Sequence, residues 1–206
     1  HYNPNMLTII LQAGGMSTRM GEDKALLPFH GIPLIERLRD RFLDLNSEIL
    51  VICNDFSRYE YLGLPLHKDV FPGKGALGGL LTALTVTDTR YLGLVAADMP
   101  FASPQLLTQL LERIQTAGAD AALPSTKGGI EPLHAVYQVE TCLPLVQQAI
   151  ENDRWRMRSW HDQARIEILD PLETIQAAGS EHTFVNLNTP EDFSAAEDIA
   201  LKYNLL

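Results

Sequence analysis

Apolar residues recur along the chain in two alternating patterns, short continuous runs and longer stripes at helical spacing. The runs predict strands from Leu7 onward and over residues 49–53, 91–97, 119–123 and 165–169. The stripes predict helices over residues 33–43, 80–87, 104–117 and 141–151. Because strands and helices alternate, we predict a Rossmann-like three-layer α/β/α sandwich with a mostly parallel sheet.

Local signals sharpen some of these boundaries. Pro33 suits the first turn of its helix, and Ser103 followed by Pro104 predicts a capped helix start. Thr189, Pro190 and Asp192 predict a capping box at a last helix. Between the fourth and fifth strands, residues 126–137 predict a turn followed by an edge or antiparallel strand.

Composition narrows the class of protein. The 206 residues, 46% hydrophobic and 20% charged, predict one globular domain over residues 1–206, with a polar flexible tail at residues 1–5. The net charge is −10 and the chain has no basic run, which argues against nucleic-acid binding. No apolar run approaches the roughly 20 residues of a membrane span, and no signal-peptide pattern is present.

The two cysteines, Cys53 and Cys142, lie far apart without a C-x-x-C partner. This pattern disfavours both a zinc site and a disulfide framework, and it indicates reduced thiols in the cytoplasm.

The first predicted strand stops at Gly14 and Gly15 and leads into a loop that carries Arg19 and Lys24. Glycines allow close approach of the backbone to a ligand, and consecutive amide groups can form a concave anion site. Two cations on the same loop would complement a polyphosphate. The alternative is an ordinary strand-to-helix loop with solvated charges.

Two other predicted strands end in polar residues at the edge where open α/β sheets bind ligands. Asp98 ends the run over residues 91–97 and is followed by Met99 and Pro100, and Asn54 follows residues 49–53. An ionised aspartate suits Mg²⁺ that is shared with substrate phosphates. Either residue could instead serve only as a turn residue.

Three motifs together resemble those of the molybdenum cofactor guanylyltransferases, within the nucleotidyltransferase superfamily. The pattern A-G-G-x-S-x-R-M-G-x-D-K-A from Ala13 to Ala25 resembles the family's signature loop. Asp98-Met99-Pro100 is similar to its metal-binding step, and Phe184 to Asp192 resemble its closing F-x-N-x-N-T-P-E-D motif. The resemblance extends from Leu7 to Phe193. Guanylyl members usually carry Leu at the position of Gln12, so base selectivity stays open.

A second glycine motif, with Gly78 and Gly79, resembles a family segment that precedes a helix and borders the base pocket. The formal G-x-G-x-x-G over residues 73–78 is not a dinucleotide fingerprint, because no strand of adequate length leads into it. Asp69 matches a family position that contacts the nucleotide.

The resemblance implies that GMP passes from GTP to the phosphate of molybdenum-molybdopterin and that pyrophosphate leaves. The implied catalytic residues are Lys24, Arg19 and Asp98, with Mg²⁺ on Asp98. The implied nucleotide-binding residues are Gln12, Ala13, Gly14, Gly15, Lys24, Asn54, Asp69, Gly78 and Asp98. The implied acceptor-binding residues are Asn186, Asn188 and Arg154.

Two alternatives remain open at this stage. One is a sibling transferase that uses CTP or another NTP on molybdopterin or on a sugar or alcohol phosphate. The other is a non-catalytic nucleotide-binding adaptor. For a transferase, the expected partners beyond substrates are transient contacts with other molybdenum cofactor biosynthesis proteins or apo-molybdoenzymes. His134, a lone histidine, is interpreted as structural.

Overall fold

A computed structural model describes residues 6–13 and 23–206 of the chain. The predictions made for residues 1–5, for Gly14 and Gly15 and for Arg19 lie outside these described residues. Within them, no helix combines the length and the apolar character that crossing a membrane requires.

The main sheet confirms the predicted architecture of mostly parallel strands. Its order is β10-β7-β9-β6-β1-β4-β5, with β8 paired to β7. β9 runs antiparallel between β6 and β7, so this strand is antiparallel and interior rather than an edge. The other neighbours on that path pair in parallel. β2 and β3 form a separate hairpin. The strands are β1 Leu7–Gln12, β2 Pro28–Phe29, β3 Ile32–Pro33, β4 Glu48–Ile52, β5 Leu66–His67, β6 Tyr91–Ala96, β7 Ala121–Thr126, β8 Gly129–Ile130, β9 His134–Gln138 and β10 Ile166–Leu169.

Helices cover both faces of this sheet and create two hydrophobic cores. α1, α3, α5 and α6 contribute to one core, while α2 and α4 contribute to the other. The helices are α1 Leu34–Phe42, α2 Gly75–Val86, α3 Pro104–Ala117, α4 Val139–Glu151, α5 Pro171–Ala178 and α6 Pro190–Tyr203. The predicted three layers are therefore confirmed.

Strand β1 lies in the interior of the sheet, between β6 and β4, and its side chains contribute to both cores. Leu7, Ile9 and Leu11 join one core and Ile10 joins the other, and all four are fully buried. Burying each such side chain contributes about 1.5–3 kcal/mol before the entropy cost of folding. The carboxyl ends of β1, β4 and β6 are level in the sheet, since Gln12 is in register with both Ile52 and Ala96.

Several predicted boundaries are wrong for identifiable reasons. α2 begins at Gly75 rather than at residue 80, so the glycine pair lies inside the helix instead of preceding it. Pro33 precedes α1 in an extended conformation rather than occupying its first turn. β7 runs from Ala121 to Thr126 and continues past Pro124, because it exchanges β9 for β8 as its antiparallel partner.

Other elements carry no prediction or a wrong one. α5, β5 and the β2–β3 hairpin were not predicted, although Asp170 and Glu173 form a capping box at the start of α5. Asn186 and Asn188 do not lie on a short strand, since residues 185–188 are irregular. They still alternate with a buried Leu187, and both asparagines are exposed.

Candidate active site

Lys24 begins a short 3-10 turn at the carboxyl end of the sheet. Asp23 caps this turn, because its Oδ1 atom accepts a hydrogen bond from the Ala25 amide at 3.2 Å. The Leu26 amide donates to the Asp23 carbonyl at 3.0 Å, which closes the turn. The Lys24 side chain is 17% exposed, so it leaves this turn toward the interior of the site rather than into open solvent.

The Lys24 ammonium lies between two of the predicted site residues. Its Nζ atom is 3.3 Å from Asp98 Oδ2 and donates to Asn188 Oδ1 at 2.9 Å. The predicted phosphate-binding loop, the end of β6 and the closing motif thus meet at one cation. An ammonium can donate three hydrogen bonds, and contacts with the described residues use two of those of Lys24, which leaves one for a ligand oxygen as far as residues 6–13 and 23–206 show.

Backbone contacts hold the Asp98 and Asn188 segments together. The Leu187 amide donates to the Asp98 carbonyl at 2.9 Å. One carboxylate oxygen of Asp192 accepts from the amides of both Asn188 and Thr189 at 2.9 Å. The predicted capping box of α6 is confirmed, and it fixes the backbone that presents Asn188.

His134 holds the loop that follows Asp98 through a hydrogen bond with Ser103. It is fully buried, and its Nε2 atom accepts a hydrogen bond from the Ser103 amide at 2.8 Å. Ser103 also caps α3 through the Leu106 amide, as predicted. Burial lowers the pKa of His134 to about 3, so the imidazole is neutral at physiological pH. The structural interpretation of this histidine agrees with these contacts.

The donor set at Asp98 fits a magnesium ion that is shared with a substrate. Asp98 Oδ1 accepts no hydrogen bond from any described residue, and its side chain is 28% exposed. The described residues contain no group of three or more His, Cys, Asp or Glu side chains that could bind a metal alone. Mg²⁺ commonly binds through one or two carboxylates plus phosphates and water, so a single carboxylate suits it.

The side chain of Gln12 packs directly on helix α2. A Cβ atom at Gly79 would stand 2.8 Å from Gln12 Cδ and would overlap the amide nitrogen. The neighbouring Gly78 is less confined, because a Cβ there would be 3.1 Å from Phe71 Cβ and 3.3 Å from the Phe71 carbonyl oxygen, which is a tight contact rather than an overlap. The second glycine motif therefore packs closely on two sides of the helix, against Gln12 and against Phe71.

Gln12 also carries an open hydrogen-bond acceptor. Its Oε1 atom is buried and has no partner in the described part of the chain. A buried carbonyl oxygen without a partner is costly, and such atoms in folded proteins call for an explanation. A ligand that brings a hydrogen-bond donor to this position would provide one.

Asp69 has local partners that account for its position. Its Oδ1 atom accepts from Thr82 Oγ1 at 2.9 Å and from the Phe71 amide at 3.0 Å. The Val70 amide donates to the Thr82 hydroxyl in turn, at 3.0 Å. This network attaches residues 69–71 to α2. A contact of Asp69 with the nucleotide stays a prediction.

No hydrogen bond or ion pair between described residues joins Ala13, Asn54 or Arg154 to Lys24, Asp98 or Asn188. Asn54 is exposed just beyond β4, and the Ala13 amide pairs with the Ile52 carbonyl at 2.9 Å. Arg154 is half-buried, and no ion pair or side-chain hydrogen bond within residues 6–13 and 23–206 joins it to Lys24, Asp98 or Asn188. Their roles stay predictions.

The two thiols are not placed to act as nucleophiles. Burial, with the charges of Asp23 and Asp55 nearby, raises the pKa of Cys53 to about 11. Burial likewise raises the pKa of Cys142 to about 12. Both groups are therefore protonated thiols at neutral pH, and thiolate is the nucleophilic form.

Sequence reasoning missed two residues that contact this site. Asp23 belongs to the signature loop, yet its capping role was not singled out. Tyr59 donates a hydrogen bond to Asp23 Oδ2 at 2.5 Å, across a separation of 36 residues. No local pattern around Tyr59 indicates such a contact.

Similar proteins cover most of the chain. The probable molybdenum cofactor guanylyltransferase of Carboxydothermus hydrogenoformans is 32% identical over 187 residues, which span 91% of this chain and 93% of the relative. The molybdenum cofactor guanylyltransferase of Xanthomonas euvesicatoria pv. vesicatoria is 33% identical over 191 residues, which span 91% and 92% of the two chains.

Solved structures lead to the same family. The crystal structure of molybdopterin-guanine dinucleotide biosynthesis protein A from Archaeoglobus fulgidus matches with a TM-score of 0.81 and 25% identity, covering 95% of this chain and 99% of that one. The model of the MobA-like NTP transferase domain matches residues 9–166, which include most of β1 together with Lys24, Asp98 and Arg154. The prediction of a nucleotidyltransferase is confirmed, and the chain belongs to the family of MobA-like NTP transferase domains.

Proposed function

We propose that this protein transfers GMP from GTP to the phosphate of molybdenum-molybdopterin and releases pyrophosphate. The observation that carries the proposal is the Lys24 ammonium, which lies within hydrogen-bond reach of both Asp98 and Asn188. These residues come from the three motifs that resemble the guanylyltransferases. The names of the relatives from Carboxydothermus and Xanthomonas support the same activity.

The reaction needs no covalent intermediate on the protein. An oxygen of the acceptor phosphate attacks the α-phosphorus of GTP, and the bond from that phosphorus to the bridging oxygen of the β-phosphate breaks. The electron pair of that bond leaves with pyrophosphate. The protein contributes alignment of the two substrates and stabilisation of the charge that develops on the phosphates.

Lys24 is suited to hold the triphosphate because its ammonium is already directed at the site. The amides near Gly14 and Gly15, together with Arg19, would provide the remaining phosphate contacts. Asp98 would hold Mg²⁺, which when bound neutralises phosphate charge and stabilises the leaving group.

Two further sets of residues would bind the nucleoside of GTP and the acceptor molecule. On the nucleoside side, Gln12 presents its open Oε1 acceptor beside Gly79. The other residues proposed there are Ala13, Asn54, Asp69 and Gly78. On the acceptor side we propose Asn186, Asn188 and Arg154, because Asn188 contacts the Lys24 ammonium and Asn186 is exposed two residues before it.

We further propose that the enzyme acts in the cytoplasm and passes its product through transient contacts to other molybdenum cofactor proteins or to apo-molybdoenzymes. The buried, protonated thiols agree with a reducing compartment. A pull-down of apo-molybdoenzymes by product-loaded enzyme, with unloaded enzyme as control, tests the second statement.

A direct test incubates the purified protein with Mg²⁺, molybdenum-molybdopterin and each of the four NTPs in turn. We expect pyrophosphate and a product whose mass has increased by one guanylyl group, which is GMP less one water, only when GTP is present. A product formed with CTP instead would identify a sibling cytidylyltransferase. GTP binding without pyrophosphate release would identify an adaptor and contradict the proposal.

Nucleotide preference can also be read from thermal stability. A ligand at 100 times its Kd stabilises the folded state by about 2.7 kcal/mol. In a melting scan with Mg²⁺, we therefore expect GTP to raise the melting temperature more than ATP, CTP or UTP does.

A further inference from the structure

Tyr59 contacts Asp23, the residue before Lys24, and it belongs to a segment to which the proposed function assigns no role. It lies between two short 3-10 turns, Phe56–Arg58 and Glu60–Leu62, just after β4. The side chain is fully buried, and its hydroxyl donates to Asp23 Oδ2 at 2.5 Å. A hydrogen bond to a carboxylate is stronger than one between neutral groups.

Asp23 transmits this contact to Lys24. Its second carboxylate oxygen, Oδ1, caps the 3-10 turn through the Ala25 amide, and its carbonyl accepts from the Leu26 amide. Among the described residues, each carboxylate oxygen has one hydrogen-bond partner, Tyr59 for Oδ2 and the Ala25 amide for Oδ1. Because Asp23 directly precedes Lys24, the direction in which the lysine leaves the backbone depends on both contacts.

The chemistry of the pair keeps the hydrogen bond in one direction. Burial and the neighbouring Asp23 carboxylate raise the pKa of Tyr59, so the phenol remains protonated and acts as the donor. A buried hydroxyl without a partner would be costly, so Tyr59 and Asp23 constrain each other.

We infer that Tyr59 is a positioning residue for Lys24, which it orients through the Asp23 carboxylate. This inference rests on the proposed guanylyl transfer, in which Lys24 holds the triphosphate. The segment after β4 then contributes to catalysis indirectly, without contacting the substrate. An error of about 1 Å in the position of a reacting or stabilising group can reduce turnover by about 100-fold.

The test compares two buried tyrosines whose hydroxyls are removed one at a time. In Tyr59→Phe we expect kcat and kcat/KM for GTP to fall together by about tenfold or more, as for an interaction lost in the transition state. Tyr137→Phe is the matched control, since Tyr137 is also fully buried and donates to the Pro132 carbonyl at 2.6 Å. We expect its turnover to remain within about twofold of wild type, because its hydrogen bond is not made to the Lys24 turn.

A double-mutant cycle separates positioning from a general loss of stability. If Tyr59 acts through Lys24, then adding Tyr59→Phe to Lys24→Ala causes no further loss of turnover. An equal additional loss in both backgrounds would overturn the inference. So would a Tyr59→Phe enzyme as active as Tyr137→Phe.

A second variant addresses the same contact from the other side. Asp23→Ala removes the acceptor and leaves the Tyr59 ring in place, and it is the deciding variant if Tyr59→Phe does not fold. We expect Asp23→Ala to lose at least as much kcat as Tyr59→Phe, and wild-type kcat would overturn the inference. All these comparisons require an active wild-type enzyme. A wild-type protein that releases no pyrophosphate would contradict the proposed function rather than the inference about Tyr59.

Discussion

The two ends of the site are built in different ways. At the proposed phosphate end, Lys24 meets Asp98 and Asn188 through hydrogen bonds between charged and polar groups that are 74 and 164 residues away in sequence. At the proposed base end, Gln12 fits against Gly79 because a side chain is missing there. One end depends on what its residues donate and accept, and the other depends on shape.

This difference has a consequence for how each end tolerates change. Removing a charged group at Lys24 or Asp98 should impair turnover, whereas the stability of the folded protein should depend little on this ion pair. The packing at Gly79 fails when an atom is added, and the clash falls on the end of a flexible glutamine side chain. Mutations should therefore affect turnover at the first end and nucleotide affinity at the second.

The largest effect is expected from the charged pair. Lys24→Ala and Asp98→Ala should each lower kcat by about 100-fold or more, because one stabiliser of transition-state charge is lost. Stability should change by no more than about 1 kcal/mol, since the pair is partly exposed to solvent. Steady-state pyrophosphate release and thermal melts measure the two quantities.

A matched control breaks a different ion pair. Arg39→Ala removes the exposed contact of Arg39 with Asp40, 2.8 Å long, and should leave turnover unchanged. Near-normal turnover in Asp98→Ala would remove the metal assignment from this residue.

A smaller effect is expected at the closing motif, where two asparagines offer an internal comparison. Asn188→Ala loses a hydrogen bond to the Lys24 ammonium, so kcat should fall about tenfold. The Asn186 side chain makes no hydrogen bond among the residues described, so Asn186→Ala should raise the KM for the acceptor and spare kcat. Identical kinetic profiles for the two variants would show that the contact with Lys24 has no catalytic consequence.

At the base end, Gly79→Ala should displace the Gln12 carboxamide. We expect the KM for GTP to rise about fivefold with little change in kcat, which corresponds to one hydrogen bond worth about 1 kcal/mol. In a Gln12→Ala background the added methyl group meets no carboxamide, so the same substitution should have no further effect. An undiminished effect in that background would contradict the proposed packing role.

The smallest effect at neutral pH concerns His134, which supports the loop after Asp98. The folded-state pKa of about 3 lies below the ordinary value of 6.5, so the unfolded state binds the proton first on acidification. Stability is therefore fully present above pH 6.5 and falls toward pH 3, with a slope of at most about 1.4 kcal/mol per pH unit. Urea titrations at several pH values across this range give the free energy of unfolding as a function of pH. This dependence should be shallower for His134→Gln than for wild type, and equal pH dependences would contradict the account.

The sequence predicts elements well where local and tertiary preferences agree. Helix α3 has the predicted bounds because Ser103 caps it, Pro104 begins it and Gly118 ends it in a left-handed conformation. The predicted start of α2 is wrong because glycines are poor helix formers. Only the contacts with Phe71 and Gln12, which form in the folded chain, explain why Gly78 and Gly79 lie inside the helix.

The same division holds within the site. Lys24 and Asp98 could be predicted from the phosphate and metal chemistry of their residue types, whereas Asn188 could be predicted only from the family resemblance of its motif. Tyr59 could not, because its role depends on a contact with Asp23 that forms only in the folded chain. The open acceptor on Gln12 likewise becomes visible only once its burial is known.

The most direct test of the account is a crystal structure of the protein with Mg²⁺ and a non-hydrolysable GTP analogue. The account predicts that the triphosphate contacts Lys24 while Asp98 holds the metal ion, with the guanine directed toward Gln12. A nucleotide bound with its phosphates away from Lys24 and Asp98 would contradict the central claim.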